Sequence, residues 1–116
     1  MISTIEMEEV MLARIPDLVM LPGPSGNVYE LAAGLARLTR ESLQSGNLQL
    51  VKNCMETADY LMQEGTQQVK QAVEKVFVFS VGLFLDMTGA VSRQMKETFP
   101  LTIRQALQKQ MKASYP

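Results

Sequence analysis

The spacing of apolar and polar residues predicts three long helices in the middle of the chain. Apolar side chains recur every three or four positions over residues 28–42, 48–62 and 69–84, which is the period of one face of an α-helix. Each segment follows a residue of a type that caps helices: Asn27, Asn47 and Thr66. Gly46 and Gly65 precede two of these caps and predict the ends of the helices before them. Such short connections favour antiparallel helical hairpins.

The helices predicted near the two ends of the sequence are shorter. Ser3 and Glu6 have the spacing of a capping box, and the first helix should run from about residue 4 until Pro16 ends it. The proline- and glycine-rich segment 21–27 predicts the one long loop. A short helix is suggested by three spaced apolar residues, Val91, Met95 and Phe99. Pro100 should interrupt it and open a last helix.

The most apolar stretch of the sequence is the ten-residue segment 76–85. Its Val-Phe-Val-Phe composition favours a strand, but the helical period continues unbroken from Val69, and no second β-rich segment could pair with it. A helix that spans a bilayer needs about 20 apolar residues, so this segment is too short. We therefore predict a helix that is buried on most of its circumference, with Phe77 as a central core side chain.

The apolar stripes define the predicted core and fold. In the helix after Asn47 the stripe contains Leu48, Val51, Met55, Ala58 and Met62, widened by Cys54 and Leu61. In the next helix it contains Val69, Ala72, Val73, Val76, Phe77, Ser80, Val81 and Phe84. The predicted fold is all-α, a compact single-domain bundle of about five helices over residues 1–116. HEAT-like stacking of the helical hairpins is an open alternative.

Composition narrows the possible chemistry. The sequence has no histidine, which removes the commonest general base and the commonest metal ligand. A net charge of −1 gives no overall basic balance of the kind that indicates nucleic-acid binding. The charges are unevenly spread: residues 1–30 hold five acidic residues and one arginine, and residues 91–116 hold five basic residues and one glutamate. The two ends either lie near each other or are solvated, or the basic end attracts an acidic partner.

The remaining candidates for a catalytic or binding site are better explained as parts of the core, the surface or a loop. Cys54 lies on an apolar helix stripe, so we predict a protonated, inert thiol, and a single cysteine forms no intramolecular disulfide. Glu56 and Asp59 share a helix face but have no histidine partner for a bundle metal site. Gly23 and Gly26 lack the Lys-Ser or Lys-Thr of a phosphate loop. We predict no catalytic residue, no cofactor and no metal site.

Several motifs occur in a distinctive order. Ser45-Gly46-Asn47 precedes a helix, and Gly65, Val69-Lys70-Gln71-Ala72-Val73 and Val76-Phe77 follow it. The order resembles a family of short, uncharacterised bacterial proteins, a domain of unknown function, whose members run Ser-Gly-Asn or Ser-Gly-Asp, a helix, then Gly-x-x-x-Val-x-Asn-Ala-Val-x-x-x-Phe. Gln71 stands where that family favours asparagine. The resemblance implies a compact helical fold of bacterial origin and transfers no functional residue, because the family has no known activity.

We expect a non-catalytic protein-interaction or regulatory module, for example a neutralising or immunity-type binder. Phe79, Leu83 and Leu85 lie off the main stripe of their helix, so they either pack on the C-terminal helix or meet a partner. The alternative is a homodimeric structural or regulatory protein, and an enzyme or nucleic-acid binder comes third. We expect the partner to be another protein or a second copy, with no nucleic acid, membrane or small-molecule substrate. Residues 1–6 show no secretory signal pattern, so we expect a cytoplasmic location.

Overall fold

The computed structural model describes residues 1–16, 27–88 and 99–114, with side chains except those of 86–88 and 110–114. Its helices are α1 (Glu6–Arg14), α2 (Val28–Ser45), α3 (Leu48–Glu64), α4 (Gln67–Ala72), a π-helical segment (Val73–Val78), α5 (Phe79–Thr88) and α6 (Leu101–Ser114). Because α4, the π segment and α5 are continuous, these elements form five rods. The prediction of an all-α fold with about five helices is confirmed. The loop at 21–26 and the short helix through Val91 and Met95 fall outside the described residues.

Three of the predicted helix starts are held by the side chains that the sequence indicated. Ser3 Oγ accepts from the Glu6 amide at 3.2 Å, and the Ser3 amide donates to Glu6 Oε1 at 3.3 Å, which is a capping box. Asn27 Oδ1 accepts from two amides at the start of α2, and Asn47 Oδ1 accepts from the amide of Leu50 at 3.2 Å. Between α2 and α3, Gly46 adopts the left-handed conformation, with φ 76°. The turn between these two helices is therefore fixed by its own residues.

The junction between α3 and α4 is held by the N-terminal segment. The Ile2 amide donates to Glu64 O at 2.7 Å, and the Thr66 amide donates to Ile2 O at 2.9 Å, so that Ile2 forms a parallel bridge across Gly65. Thr66 occupies the cap position of α4 as predicted, but its side chain makes no capping hydrogen bond, and its buried Oγ1 has no partner. The backbone here is positioned by a contact with residue 2, which is distant in sequence.

The core is a cluster of buried side chains contributed by all five rods and by Ile2. Phe77 is fully buried, as predicted, among the largest enclosed side chains of the described residues. The helix remains helical across the Val-Phe-Val-Phe run, although its hydrogen bonds there follow the wider π pattern, from each amide to the carbonyl five residues earlier. Phe77 and Val78 are buried in this segment together with Val73. The predicted stripe also includes Val76, which is only half-buried, and it omits Val78.

Some predicted core positions are wrong, and polar ones were missed. Leu48 is 57 % exposed because it lies in the first turn of α3, at the end of the hairpin. Thr39 and Thr57 are buried, and each hydroxyl donates to the carbonyl four residues earlier, to Leu35 O at 2.8 Å and to Asn53 O at 2.7 Å. Because such a bond satisfies the hydroxyl proton within its own helix, threonine can enter the core of a helical fold.

Replacement of Gly65 by alanine should destabilise the fold by about 1–3 kcal/mol, because an added methyl group overpacks the junction. A Cβ atom at Gly65 would lie 2.6 Å from Val69 Cγ1 and 2.9 Å from Val69 Cβ, and would also press on Leu61 O. Urea unfolding measures the change. Gly34→Ala is the matched control: no heavy atom lies within 4 Å of its added Cβ, so the same change should be neutral or stabilising. Equal effects at both positions would contradict the packing described at this junction.

Phe77→Ala should lower the free energy of unfolding by about 3–5 kcal/mol, because it leaves a cavity at a fully buried site. Chemical denaturation of the two proteins gives the difference directly. Phe79→Ala removes the same atoms two positions later from a side chain that is more than half exposed, and should cost much less. A loss below about 1 kcal/mol for Phe77→Ala would show that Phe77 is not a core residue.

Candidate functional site

The most unusual surface feature is a pair of large apolar side chains on α5. Phe79 is 55 % exposed and Leu83 is 49 % exposed. They are four residues apart, so they lie on the same face of the helix, one turn from each other. We call Phe79 and Leu83 the apolar ridge. Water-exposed contiguous apolar groups of this kind are typical of contact surfaces, whereas single exposed ones are common everywhere.

Leu85, the third residue predicted for an interface, does not join this ridge. It is half-buried and packs against the core cluster, as Val81, which is fully buried, does on the same helix. Successive residues of an α-helix are rotated by about 100°, so Leu83 and Leu85 are about 200° apart and point to nearly opposite sides of the helix. The segment 76–85 was predicted to be buried on most of its circumference, and the structure bears this out only in part. Phe77, Val78 and Val81 are buried, Phe79 and Leu83 are exposed, and the other residues of the segment are half-buried.

The exposed charges one turn before the ridge have both signs. Lys75, one turn before Phe79, is exposed, and so is Glu74 beside it. Helix α6 packs against α5 and against the π segment, and its sequence contains Arg104, Lys109 and Lys112 with no acidic residue. Its first residue, Leu101, is 61 % exposed. Exposed large apolar side chains thus occur on both of these packed helices.

A half-open cleft of about 300 Å³ lies elsewhere, where the N-terminal segment meets the starts of α2 and α4. It is lined by Thr4, Asn27, Val28, Tyr29, Gln68 and Gln71. These hydroxyl, phenol and amide groups offer hydrogen bonds to a polar ligand, but none is a metal-binding or strongly basic group. No local sequence pattern predicts this cleft, because its residues come from three separate segments of the chain.

Cys54 is fully buried on α3, as predicted. Burial raises the pKa of its thiol above the ordinary value of 9.0, while a hydrogen bond with Thr39 partly offsets that rise. A protonated, enclosed thiol is a poor nucleophile, which agrees with the prediction of an inert core cysteine.

The carboxylates of α3 named as candidates lie on its surface or bond within the helix. Glu56 is exposed, and Asp59 Oδ2 accepts a hydrogen bond from Gln63 Nε2 at 2.8 Å on the same helix. Across the residues that the structure describes, no group of three His, Cys, Asp or Glu side chains is placed to hold a metal ion. One turn after Glu56 on the same helix, the Tyr60 ring lies under the Arg14 guanidinium, 3.9 Å from its centroid, a cation–π contact between α1 and α3.

Comparison with known families gives one match. The model of a domain of unknown function, DUF7674, matches residues 8–113. The chain belongs to this family. The predicted resemblance to a helical domain family of unknown function is thus confirmed, while a bacterial source for the DUF7674 chain stays a prediction. No curated protein and no solved structure matches the chain. Within the described helices, none is long and apolar enough to cross a membrane.

Wild-type DUF7674 protein should lose stability relative to a Cys54→Ala variant as the pH rises above 9.0, the ordinary pKa of a thiol. The unfolded thiol ionises there while the buried thiol keeps its proton, so the stability is fully present below that pH and falls above it. Urea unfolding of both proteins between neutral and alkaline pH gives the difference in their free energies of unfolding. Contributions from other ionisable groups are common to the two proteins and cancel in that difference. Parallel curves at all pH values would show that the thiol is not shielded.

Proposed function

We propose that this DUF7674 chain is a non-catalytic protein-interaction module, and that the apolar ridge of α5 is the centre of its contact surface. The observation that supports this most directly is the pair of half-exposed large apolar side chains, Phe79 and Leu83, on a helix whose remaining face packs in the core. A ridge of this kind loses contact with water when a partner covers it, which favours association. Regulation or neutralisation of the partner, as by an immunity-type protein, is the form of binding we favour.

A binding function also agrees with the chemistry of the chain. The whole sequence lacks histidine, and its one thiol is buried and protonated, so two frequent sources of catalytic nucleophiles and bases are missing. The polar cleft offers neutral hydrogen-bonding groups only. We propose an intracellular, cytoplasmic location on the same basis, since a free thiol enclosed in the core suits a reducing compartment. Nucleic acid, membrane and small-molecule substrates are not part of the proposal.

The second candidate function is that of a homodimeric structural or regulatory protein. The same ridge favours it, since an exposed apolar patch can meet its own copy across a twofold axis. The two candidates differ in what covers Leu83: a different protein in one case, an identical surface in the other. A dimer would make stability depend on protein concentration.

Leu83→Glu should abolish binding to the natural partner, because it places a charge at the centre of a contact that must exclude water. Tagged wild-type and variant proteins are used as bait in lysate of the source organism, and the captured proteins are quantified. Leu48→Glu is the matched control, since Leu48 is 57 % exposed against 49 % for Leu83 but lies at the start of α3. We expect a protein that wild type and Leu48→Glu retain and Leu83→Glu loses.

The variants must also fold alike, which thermal unfolding checks. Both positions are exposed, so each substitution should change the stability only slightly. Capture of the same proteins in the same amounts by all three baits would contradict the proposal that the ridge is the contact surface.

A further inference from the structure

The polar cleft, where the N-terminal segment meets the starts of α2 and α4, collects side chains whose hydrogen-bonding groups are unused. Thr4, Tyr29, Gln68 and Gln71 all line it. Within the part of the chain that the structure describes, none of these four side chains donates or accepts a hydrogen bond. Asn27 Oδ1 accepts from two backbone amides of α2, which leaves its NH2 group as a further donor at the cleft.

Two glutamines of α3 show how such side chains are otherwise satisfied. Gln49 and Gln63 each donate to a side chain four residues away on their own helix, at 3.2 Å and 2.8 Å. Gln68 and Gln71 are three residues apart, so they share one face of their helix, and both line the cleft. An amide without a partner in the protein can bond to a ligand without first breaking a bond of its own.

The groups that line the cleft suit a neutral ligand that both donates and accepts hydrogen bonds. No charged side chain of the described residues lines it, so an ion would find no side chain of opposite charge there. Each glutamine amide supplies one acceptor oxygen and two donors, and the threonine and tyrosine hydroxyls donate and accept. A ligand that carries several hydroxyl groups matches this mixture. The volume of about 300 Å³ lies at the lower end of pockets that hold small molecules.

Tyr29 adds an aromatic surface to these polar groups. It is the second residue of α2, and its side chain is 49 % exposed. The face of an aromatic ring carries partial negative charge, which attracts C–H groups with partial positive charge. A pyranose sugar has such C–H groups on the faces of its ring and hydroxyl groups around the rim. An aromatic ring beside several unpartnered amide and hydroxyl groups therefore matches both parts of a sugar.

We propose that the polar cleft binds one neutral pyranose unit, with Tyr29 against a face of the sugar ring and with Gln68 and Gln71 bonded to its hydroxyl groups. Thr4 and the NH2 group of Asn27 supply further hydrogen bonds from the other two segments of the chain. The sugar is bound and not converted. No residue of the apolar ridge lines the cleft, so this inference does not rest on the proposed protein contact.

Titration of the isotope-labelled, full-length protein with glucose, galactose, mannose and N-acetylglucosamine, followed by the amide chemical shifts, tests the proposal. At least one of the four sugars should shift the signals of the cleft residues in a saturable way. The signals of Phe79 and Leu83 should stay unchanged. Because a monosaccharide has few atoms, the dissociation constant should be weak, on the order of millimolar.

Variants of two exposed side chains show which groups hold the sugar. Tyr29→Ala and Gln68→Ala should each weaken its binding on the order of tenfold, whereas Tyr29→Phe, which keeps the ring, should lose less. Both positions are exposed, so the fold should persist, which thermal unfolding checks. Gln67→Ala is the matched control, because Gln67 is exposed beside Gln68 on α4 but does not line the cleft.

Four results would overturn the proposal. They are the absence of a saturable shift with any of the four sugars, shifts confined to residues outside the cleft, a loss of affinity for Gln67→Ala as large as that for Gln68→Ala, and binding of an uncharged blocked dipeptide at the cleft without any response to the sugars. The last result would assign the cleft to a different class of ligand. Partner capture that depends on Leu83 is a separate measurement, so each of these results leaves the proposed function standing.

Discussion

The fold depends on the burial of one face of the long rod that contains α4, the π segment and α5. The π segment packs against α2, α3 and α6 as well as against its own two flanking helices. Its buried side chains, Val73, Phe77 and Val78, are the apolar surface on which these neighbours meet. Since a wider turn brings more side chains to one face than an α-helical turn, the π geometry increases what this rod contributes to the core. Burial of this size dominates the stability of a small helical domain.

Local interactions explain why most of the architecture could be predicted from the sequence. The caps by Ser3, Asn27 and Asn47 join atoms within three residues of each other, so the residues that form them can be recognised from spacing alone. The helical assignment of segment 76–85 succeeded for a similar reason, because a stripe that began at Val69 continued through it. Periodicity is a property of the whole segment, and it outweighed the strand preference of a few β-branched and aromatic residues.

The errors occurred where distant parts of the chain decide the outcome. No pattern near Thr66 reveals that Ile2 binds the backbone on both sides of Gly65, and the expected capping bond of Thr66 is absent there. Val78, which the predicted stripe omits, is buried within the π segment. Within the candidate site, Phe79 and Leu83 were found because they lie off the stripe. Leu85 satisfies the same criterion but packs on the core, since off-stripe positions do not all face one direction.

The distribution of polarity over the surface separates two roles within one helix. Along α5 the core-facing side chains hold the rod in place, and this support lets Phe79 and Leu83 remain exposed without loss of the fold. A ridge on a rigid helix keeps its shape before a partner arrives, so association loses little conformational entropy there. One face of this apolar segment thus stabilises the fold, and the proposed contact surface lies on another.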